Sequence, residues 1–110
     1  MKAGSYADWP VVAEWRASAG QDQFAGHFPG QPVVPGAYLL DAAVACIEAA
    51  LGARVEAIRD CKFLATVAPD ELLSLRVSAT PRHVGIALLR CKTQVVCMGT
   101  LCMEAHDACA

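Results

Sequence analysis

One long apolar segment interrupts the alternation of apolar and polar residues along the chain. Residues 36–51, GAYLLDAAVACIEAAL, are rich in helix-forming residues and apolar on nearly every helical face. Pro35 suits the first position of a helix, and Gly52 suits the position just after its end. The pattern therefore predicts a single helix over residues 36–51, buried on most of its sides.

Short strand-like segments lie on both sides of this predicted helix. Residues 72–80, LLSLRVSAT, alternate apolar and polar side chains, as a strand with one buried face does. The same reasoning predicts strands at 11–19, 55–66, 72–80, 86–94 and 95–105, with turns at 67–70 and 81–85. The order of one strand, one helix and four strands predicts an α+β fold, in which an antiparallel sheet wraps around the helix. At 110 residues, the chain is expected to form one domain, 1–110.

Composition narrows the class of protein. Hydrophobic residues make up 55% of the chain and charged residues 18%, which is too apolar for a disordered protein. The net charge of -2 argues against a nucleic-acid-binding protein, which usually has a basic excess. The chain shows neither a secretory signal nor an apolar run long enough to span a membrane, so a cytoplasmic protein is expected. Its six cysteines have no zinc-site spacing and are expected to be free thiols in a reducing compartment.

The segment before the helix has an unusual composition. Residues 24–36, FAGHFPGQPVVPG, contain three glycines and three prolines and so cannot form a regular helix or a central strand. The segment is also rich in Phe and Val, unlike a solvated linker. A rigid, partly buried loop is predicted, and such loops often carry functional side chains. His27 is the candidate in this loop.

Residues 27–42, HFPGQPVVPGAYLLDA, resemble the signature of bacterial 3-hydroxyacyl-acyl-carrier-protein dehydratases. That signature is a His followed by Phe-Pro-Gly, then a Pro, a Pro-Gly, and an acidic residue fourteen positions after the His. The matching positions here are His27, Phe28, Pro29, Gly30, Pro32, Pro35, Gly36 and Asp41. Lys62-Phe63 and Pro69-Asp70 are similar to the strand and turn that follow in the family.

The resemblance implies a hot-dog fold, with one long helix wrapped by an antiparallel sheet, and a dimer in which two sheets join. It implies that each active site takes its His from one subunit and its acid from the other. The implied reaction removes water from a (3R)-hydroxyacyl thioester on the phosphopantetheine arm of acyl carrier protein, leaving the 2-enoyl thioester. It implies no cofactor and no metal. A homodimer is expected, and a heterodimer or higher oligomer stays open.

The chemistry of the matched residues suits this reaction. The imidazole of His27 exchanges protons near neutral pH and is the predicted base for the proton beside the thioester carbonyl. Asp41 is predicted to protonate or polarise the leaving hydroxyl, directly or through a water. The backbone N–H of Gly36, at the helix start, is predicted to face the thioester oxygen as it gains negative charge. Predicted substrate-binding residues are Phe28, Pro29, Gly30, Val33, Val34, Tyr38 and Leu40.

The sequence departs from the family in three ways. The acid is Asp, as in the smaller dehydratase-isomerase branch, where the larger branch has Glu. Ala45 stands where the Glu branch usually has a Gln. The usual N-terminal helix-containing segment is absent, so the acyl tunnel is expected to be more open or to be covered differently. Compact members of this kind resemble dehydratases of specialised pathways, such as those making aryl polyene pigments. Two alternatives stay open, namely a hot-dog acyl thioesterase and a non-catalytic acyl-binding or partner subunit.

Overall fold

A computed structural model describes residues 6–17, 34–80 and 83–104 of the protein. These residues contain a short 3₁₀ helix at Tyr6–Asp8, one α-helix and five strands. Their bounds are β1 Val11–Arg16, α1 Gly36–Leu51, β2 Val55–Phe63, β3 Leu72–Ala79, β4 His83–Arg90 and β5 Gln94–Met103. Among the described residues, no helix is long and apolar enough to cross a membrane.

Helix α1 begins and ends at the residues that the sequence predicts. Pro35 is the N-cap, with extended backbone angles (φ −60°, ψ 143°) that a proline ring favours. Gly52 ends the helix in the left-handed conformation (φ 66°), where its N–H donates to the Glu48 carbonyl oxygen at 2.9 Å. Glycine adopts this conformation without steric cost, so local chemistry alone sets both helix ends.

The five strands form one antiparallel sheet in the order β1-β3-β4-β5-β2. The chain therefore leaves one edge of the sheet after β1, passes through α1, and returns at the opposite edge as β2. The side chain of Glu48, near the end of α1, accepts a hydrogen bond from the Val55 N–H at 2.9 Å. This bond ties the last turn of the helix to the first residue of the β2 edge.

The core lies between α1 and one face of the sheet. Leu39, Ala43 and Ile47 recur every four residues along the helix and are fully buried. They belong to one cluster with apolar residues of the sheet, including Leu75, Val77, Ile86, Leu88, Val96 and Leu101. The hydrophobic effect of this single interface is the main source of stability in the isolated chain.

The helix is less buried than its composition predicts. Ala37, Asp41 and Ala45 form a second line of residues spaced four apart, and all three are exposed. A sheet that contacts one side of a helix leaves the other side open, even when that side is apolar. The expectation that α1 is buried on most sides is therefore wrong for the single chain.

Strand β4 starts earlier than predicted. The sequence predicts a turn over 81–85, yet His83 pairs with Cys102 and Gly85 with Thr100 in the β4–β5 ladder. A Cβ on Gly85 would lie 3.0 Å from the ring of Trp9, so this glycine makes room for an aromatic ring on the sheet. A glycine that suggests a turn in sequence here serves close packing within a strand.

Candidate functional site

The start of α1 is held in place from two directions. Val34, just before the helix, is buried, and its N–H donates to the Val67 carbonyl oxygen at 2.8 Å. The ring of Phe63, at the end of β2, lies directly over Gly36, where a Cβ would come within 3.1 to 3.4 Å of three ring atoms. Glycine at position 36 thus allows an aromatic ring to approach the helix start closely.

The first two amides of α1 have no acceptor within the helix. The N–H groups of Tyr38 and Leu39 both donate to the Pro35 carbonyl oxygen, at 3.1 and 3.2 Å. Gly36 and Ala37 precede them, and no carbonyl lies one turn earlier within the helix to accept from their N–H groups. The N-terminus of a helix also carries a partial positive charge. This end of α1 is therefore suited to an oxygen that gains negative charge.

Asp41 lies in the second turn of α1, five residues after Gly36. At 1.5 Å per residue, this places it roughly 7.5 Å further along the helix axis. It is exposed, between Ala37 and Ala45 on the open side of the helix. Its neighbours on this side are small, so a second chain or a substrate can approach the carboxylate closely.

The other predicted site residues divide between the described and the undescribed parts of the chain. Tyr38 and Leu40 are partly buried and pack against the core. Leu39, between them, is a core residue. His27, Phe28, Pro29, Gly30 and Val33 lie outside the described residues. The approach of His27 to Asp41 therefore stays a prediction.

Phe63 is the site residue that the sequence did not single out. It is almost half-exposed although aromatic, and Leu64 beside it is more exposed still. The resemblance had marked Lys62-Phe63 only as part of a strand. The contact with Gly36 joins residues 27 positions apart, and no periodicity along the chain reveals it.

No metal centre is evident in residues 6–17, 34–80 and 83–104, where His, Cys, Asp and Glu side chains nowhere gather in threes. The arrangement instead offers a helix N-terminus under an aromatic ring, with a carboxylate further along the same helix. These groups can bind and polarise a carbonyl oxygen and can exchange a proton with a neighbouring group.

A family model described as ApeI-like, ApeI dehydratase, matches residues 6–100. The chain belongs to the ApeI-like dehydratase family. Its match covers the helix, all of β1 to β4 and most of β5, as well as the sequence segment that contains His27. The match to a dehydratase family thus extends well beyond the sixteen residues of the signature and covers most of the chain.

Curated proteins similar to this chain are named 3-hydroxyacyl-acyl-carrier-protein dehydratases. A 3-hydroxyacyl-acyl-carrier-protein dehydratase FabZ from Lactiplantibacillus plantarum is 28% identical over 94 residues, which cover 77% of this chain and 64% of that protein. The FabZ of Ehrlichia chaffeensis is 33% identical over 90 residues, covering 76% and 62%. The chain thus spans less than two thirds of the length of these relatives.

Solved structures confirm the α+β hot-dog fold of the ApeI-like protein. The dehydratase heterocomplex ApeI:P from Xenorhabdus doucetiae matches with a TM-score of 0.67 at 19% identity, covering 94% of this chain and 98% of that one. An acyl-ACP thioesterase from Bacteroides thetaiotaomicron matches with a TM-score of 0.64 at 16% identity, covering 94% and 40%. Similarity at this level of identity shows the fold alone, because hot-dog domains perform several reactions.

Proposed function

We propose that this protein dehydrates a (3R)-hydroxyacyl thioester carried on acyl carrier protein, releasing water and the trans-2-enoyl thioester. The main support for this proposal is that Gly36 begins α1. The chain also belongs to the ApeI-like dehydratase family. Its N–H has no acceptor within the helix and can donate to the thioester oxygen.

Each proposed step uses a residue of the matched signature. His27 takes the proton from the carbon beside the thioester carbonyl, and the negative charge moves to the carbonyl oxygen. The Gly36 N–H stabilises that oxygen. As the charge returns, the double bond forms and the bond to the hydroxyl breaks. Asp41 supplies a proton to the departing hydroxyl, directly or through a water, and water leaves.

The exposure of Asp41 supports a site that is completed by a second chain. In a single chain the carboxylate faces bulk water, which weakens its electrostatic effect on a substrate. A partner over the line of Ala37, Asp41 and Ala45 would exclude water and bring a second loop to the carboxylate. We therefore assign His27 and Asp41 of one active site to different subunits.

The direct test follows the enoyl product when purified protein is given (3R)-hydroxyacyl thioesters of several chain lengths on acyl carrier protein. We expect turnover without an added metal or cofactor. If a folded, assembled protein shows no turnover with any chain length, the dehydratase proposal is wrong. Release of free acid and thiol instead of enoyl thioester would indicate a thioesterase.

The β2 edge is the proposed junction between the two sheets. Ile58 is 45% exposed and Phe63 and Leu64 are similarly open, so this edge carries a row of large apolar side chains. Unpaired strand edges readily add a further strand. The opposite edge, β1, has one comparable side chain, Val11, which is 42% exposed. The comparison favours β2 as the site of association.

We expect light scattering to give twice the 11.6 kDa of the chain. Ile58→Glu is expected to shift the protein to monomer, because it buries a charge at the proposed junction. Val11→Glu is the matched control, since it places the same charge at an equally exposed site on the other edge. A folded monomer in the unmodified protein would instead favour a heterodimer with a related chain. The solved ApeI:P structure is itself described as a heterocomplex. If Val11→Glu alone dissociates the dimer, the junction lies on the β1 edge.

A further inference from the structure

Two cysteines from neighbouring strands meet on the inner face of the sheet. Cys61 lies on β2 and Cys97 on β5, and their sulfur atoms are 3.3 Å apart. Cys97 is buried, whereas Cys61 is partly exposed. Both thiols are reduced in this arrangement. Neither residue belongs to the proposed dehydration site, which uses no sulfur.

The close approach of these sulfurs has a specific structural cause. Cys61 is paired with Gly99 and Cys97 with Phe63, so the two cysteines are diagonal neighbours. Diagonal neighbours in an antiparallel pair usually lie about 7–8 Å apart, which is too far for contact between short side chains. At Gly99, however, a Cβ would come within 2.6 Å of the Asp60 carbonyl oxygen and 3.2 Å of the Cys61 Cα.

Gly99 therefore allows β2 and β5 to approach more closely than two ordinary residues would allow. An irregularity in the register between Ile58 and Asp60 lies one residue before Cys61. Such bulges increase the local twist of a strand pair, and this brings one diagonal together. The glycine and the bulge together place Cys61 against Cys97.

We propose that Cys61 and Cys97 form a reversible oxidation site, in which a peroxide links the two sulfurs as an intramolecular disulfide. A disulfide bond is about 2.05 Å long, so the sulfurs must approach by roughly a further 1.2 Å. Cys61 and Cys97 lie on adjacent paired strands, so a small shift of β2 against β5 is enough to bring the sulfurs together. The geometry thus requires a small movement of β2 and no rearrangement of the core.

The two sulfurs have different roles in this oxidation. Burial and the neighbouring Cys61 thiol raise the pKa of Cys97 to about 12, so Cys97 stays protonated at neutral pH. Cys61 is the more accessible sulfur and meets the peroxide first. The Cys61 thiol loses its proton, its sulfur attacks one peroxide oxygen and the O–O bond breaks. Cys61 becomes a sulfenic acid, and the departing hydroxide takes up the proton that the thiol lost and leaves as water.

The second step closes the disulfide. The Cys97 sulfur attacks the Cys61 sulfur, the S–O bond breaks, and the departing hydroxide takes the thiol proton of Cys97 to leave as water. In total, two thiols lose two electrons and two protons, and one peroxide is reduced to two waters. A dithiol reductant reverses the oxidation by thiol–disulfide exchange.

The oxidation site is connected to the start of α1 through Phe63. This residue lies two positions after Cys61 and directly opposite Cys97, and its ring packs on Gly36. Drawing the two sulfurs together shifts the end of β2 and moves this ring relative to the Gly36 amide. We therefore expect oxidation to lower the dehydration rate severalfold, a consequence that rests on the proposed function.

The test treats the assembled protein with hydrogen peroxide, blocks the remaining thiols by alkylation, and maps the peptides by mass spectrometry. Cleavage after Lys and Arg releases Cys61 in the peptide 60–62 and Cys97 in the peptide 93–110. We expect these two peptides to be joined with the loss of two hydrogens and to separate after dithiothreitol. Fragment ions must assign the link to Cys97 rather than to Cys102 or Cys109.

Two cysteine variants test which residues form the link. Cys61→Ser is expected to abolish the link and to retain the fold, because Cys61 is partly exposed, whereas Cys91→Ser at an exposed turn should leave the link unchanged. The proposal is wrong if peroxide takes Cys61 to sulfinic acid without a link, or if the link joins Cys91 residues of two molecules. Peptide mapping does not measure enzyme activity. It therefore detects the Cys61–Cys97 disulfide whether or not the protein is a dehydratase.

Discussion

Asp41→Asn is expected to lower kcat for dehydration by about 100- to 10,000-fold, the usual contribution of a positioned acid or base. Asparagine preserves the size of the side chain but cannot supply a proton to the leaving hydroxyl. Because asparagine is similar in size and Asp41 lies outside the core of the single chain, the variant should keep its fold. Steady-state kinetics together with a urea titration measure both effects.

Glu104→Gln is the matched control for this loss of charge. Glu104 is also exposed, just after β5, and its removal should leave kcat within about twofold of the unmodified protein. If Asp41→Asn behaves like this control, Asp41 is a surface residue of the helix and takes no part in the reaction.

His27→Ala is expected to reduce kcat on the same scale, because the proposed base is lost. Mixing the two inactive variants then tests the shared site. In a mixed dimer, one of the two sites would combine the intact His27 of one subunit with the intact Asp41 of the other. Random exchange of subunits should restore about a quarter of the unmodified activity. No recovery after proven exchange would place both residues in the same subunit.

Ile47→Ala is expected to lower the free energy of unfolding by about 2–5 kcal/mol. Ile47 is 0% exposed and lies on the face of α1 that packs against the sheet. Shortening it removes buried apolar surface and leaves a cavity that the neighbouring strands fill only in part. The midpoint of urea unfolding should fall with an unchanged slope, measured at one fixed protein concentration.

Leu51→Ala on the same helix is the matched control. Leu51 is 38% exposed in the last turn, so its truncation should cost less than about 1 kcal/mol. Equal losses for the two variants would show that burial against the sheet does not dominate the stability of α1. A larger loss at Leu51 would indicate that a partner subunit covers the helix end.

Local chemistry accounts for the features that the sequence predicts well. The bounds of α1 follow from Pro35 and Gly52, whose backbone preferences act within a single turn. The strand β3 follows from a period of two over eight residues. The run of helix-forming residues over 36–51 also predicted that the helix begins at Gly36 and includes Asp41.

Longer-range features required the tertiary structure. Nothing local to β3 indicates that it pairs with β1 and β4, or that β2 pairs with β5 at the far edge. Local sequence predicts a turn at Gly85. The contact that explains this glycine, with the ring of Trp9, joins distant parts of the chain and cannot be read from local sequence. The exposure of one side of α1 likewise depends on how far the sheet curves, which no helical periodicity reports.

The helix and the α+β class could be predicted from the sequence, because both depend on residue preferences and spacing along the chain. The residues proposed for the reaction follow from the resemblance of residues 27–42 to the dehydratase signature. Only the tertiary structure placed the ring of Phe63 on Gly36 and the sulfur of Cys61 against that of Cys97. Both contacts arise from the cross-strand register and from the close approach that Gly36 and Gly99 allow. Register and approach are set by the packing of the whole sheet, which a one-dimensional pattern does not contain.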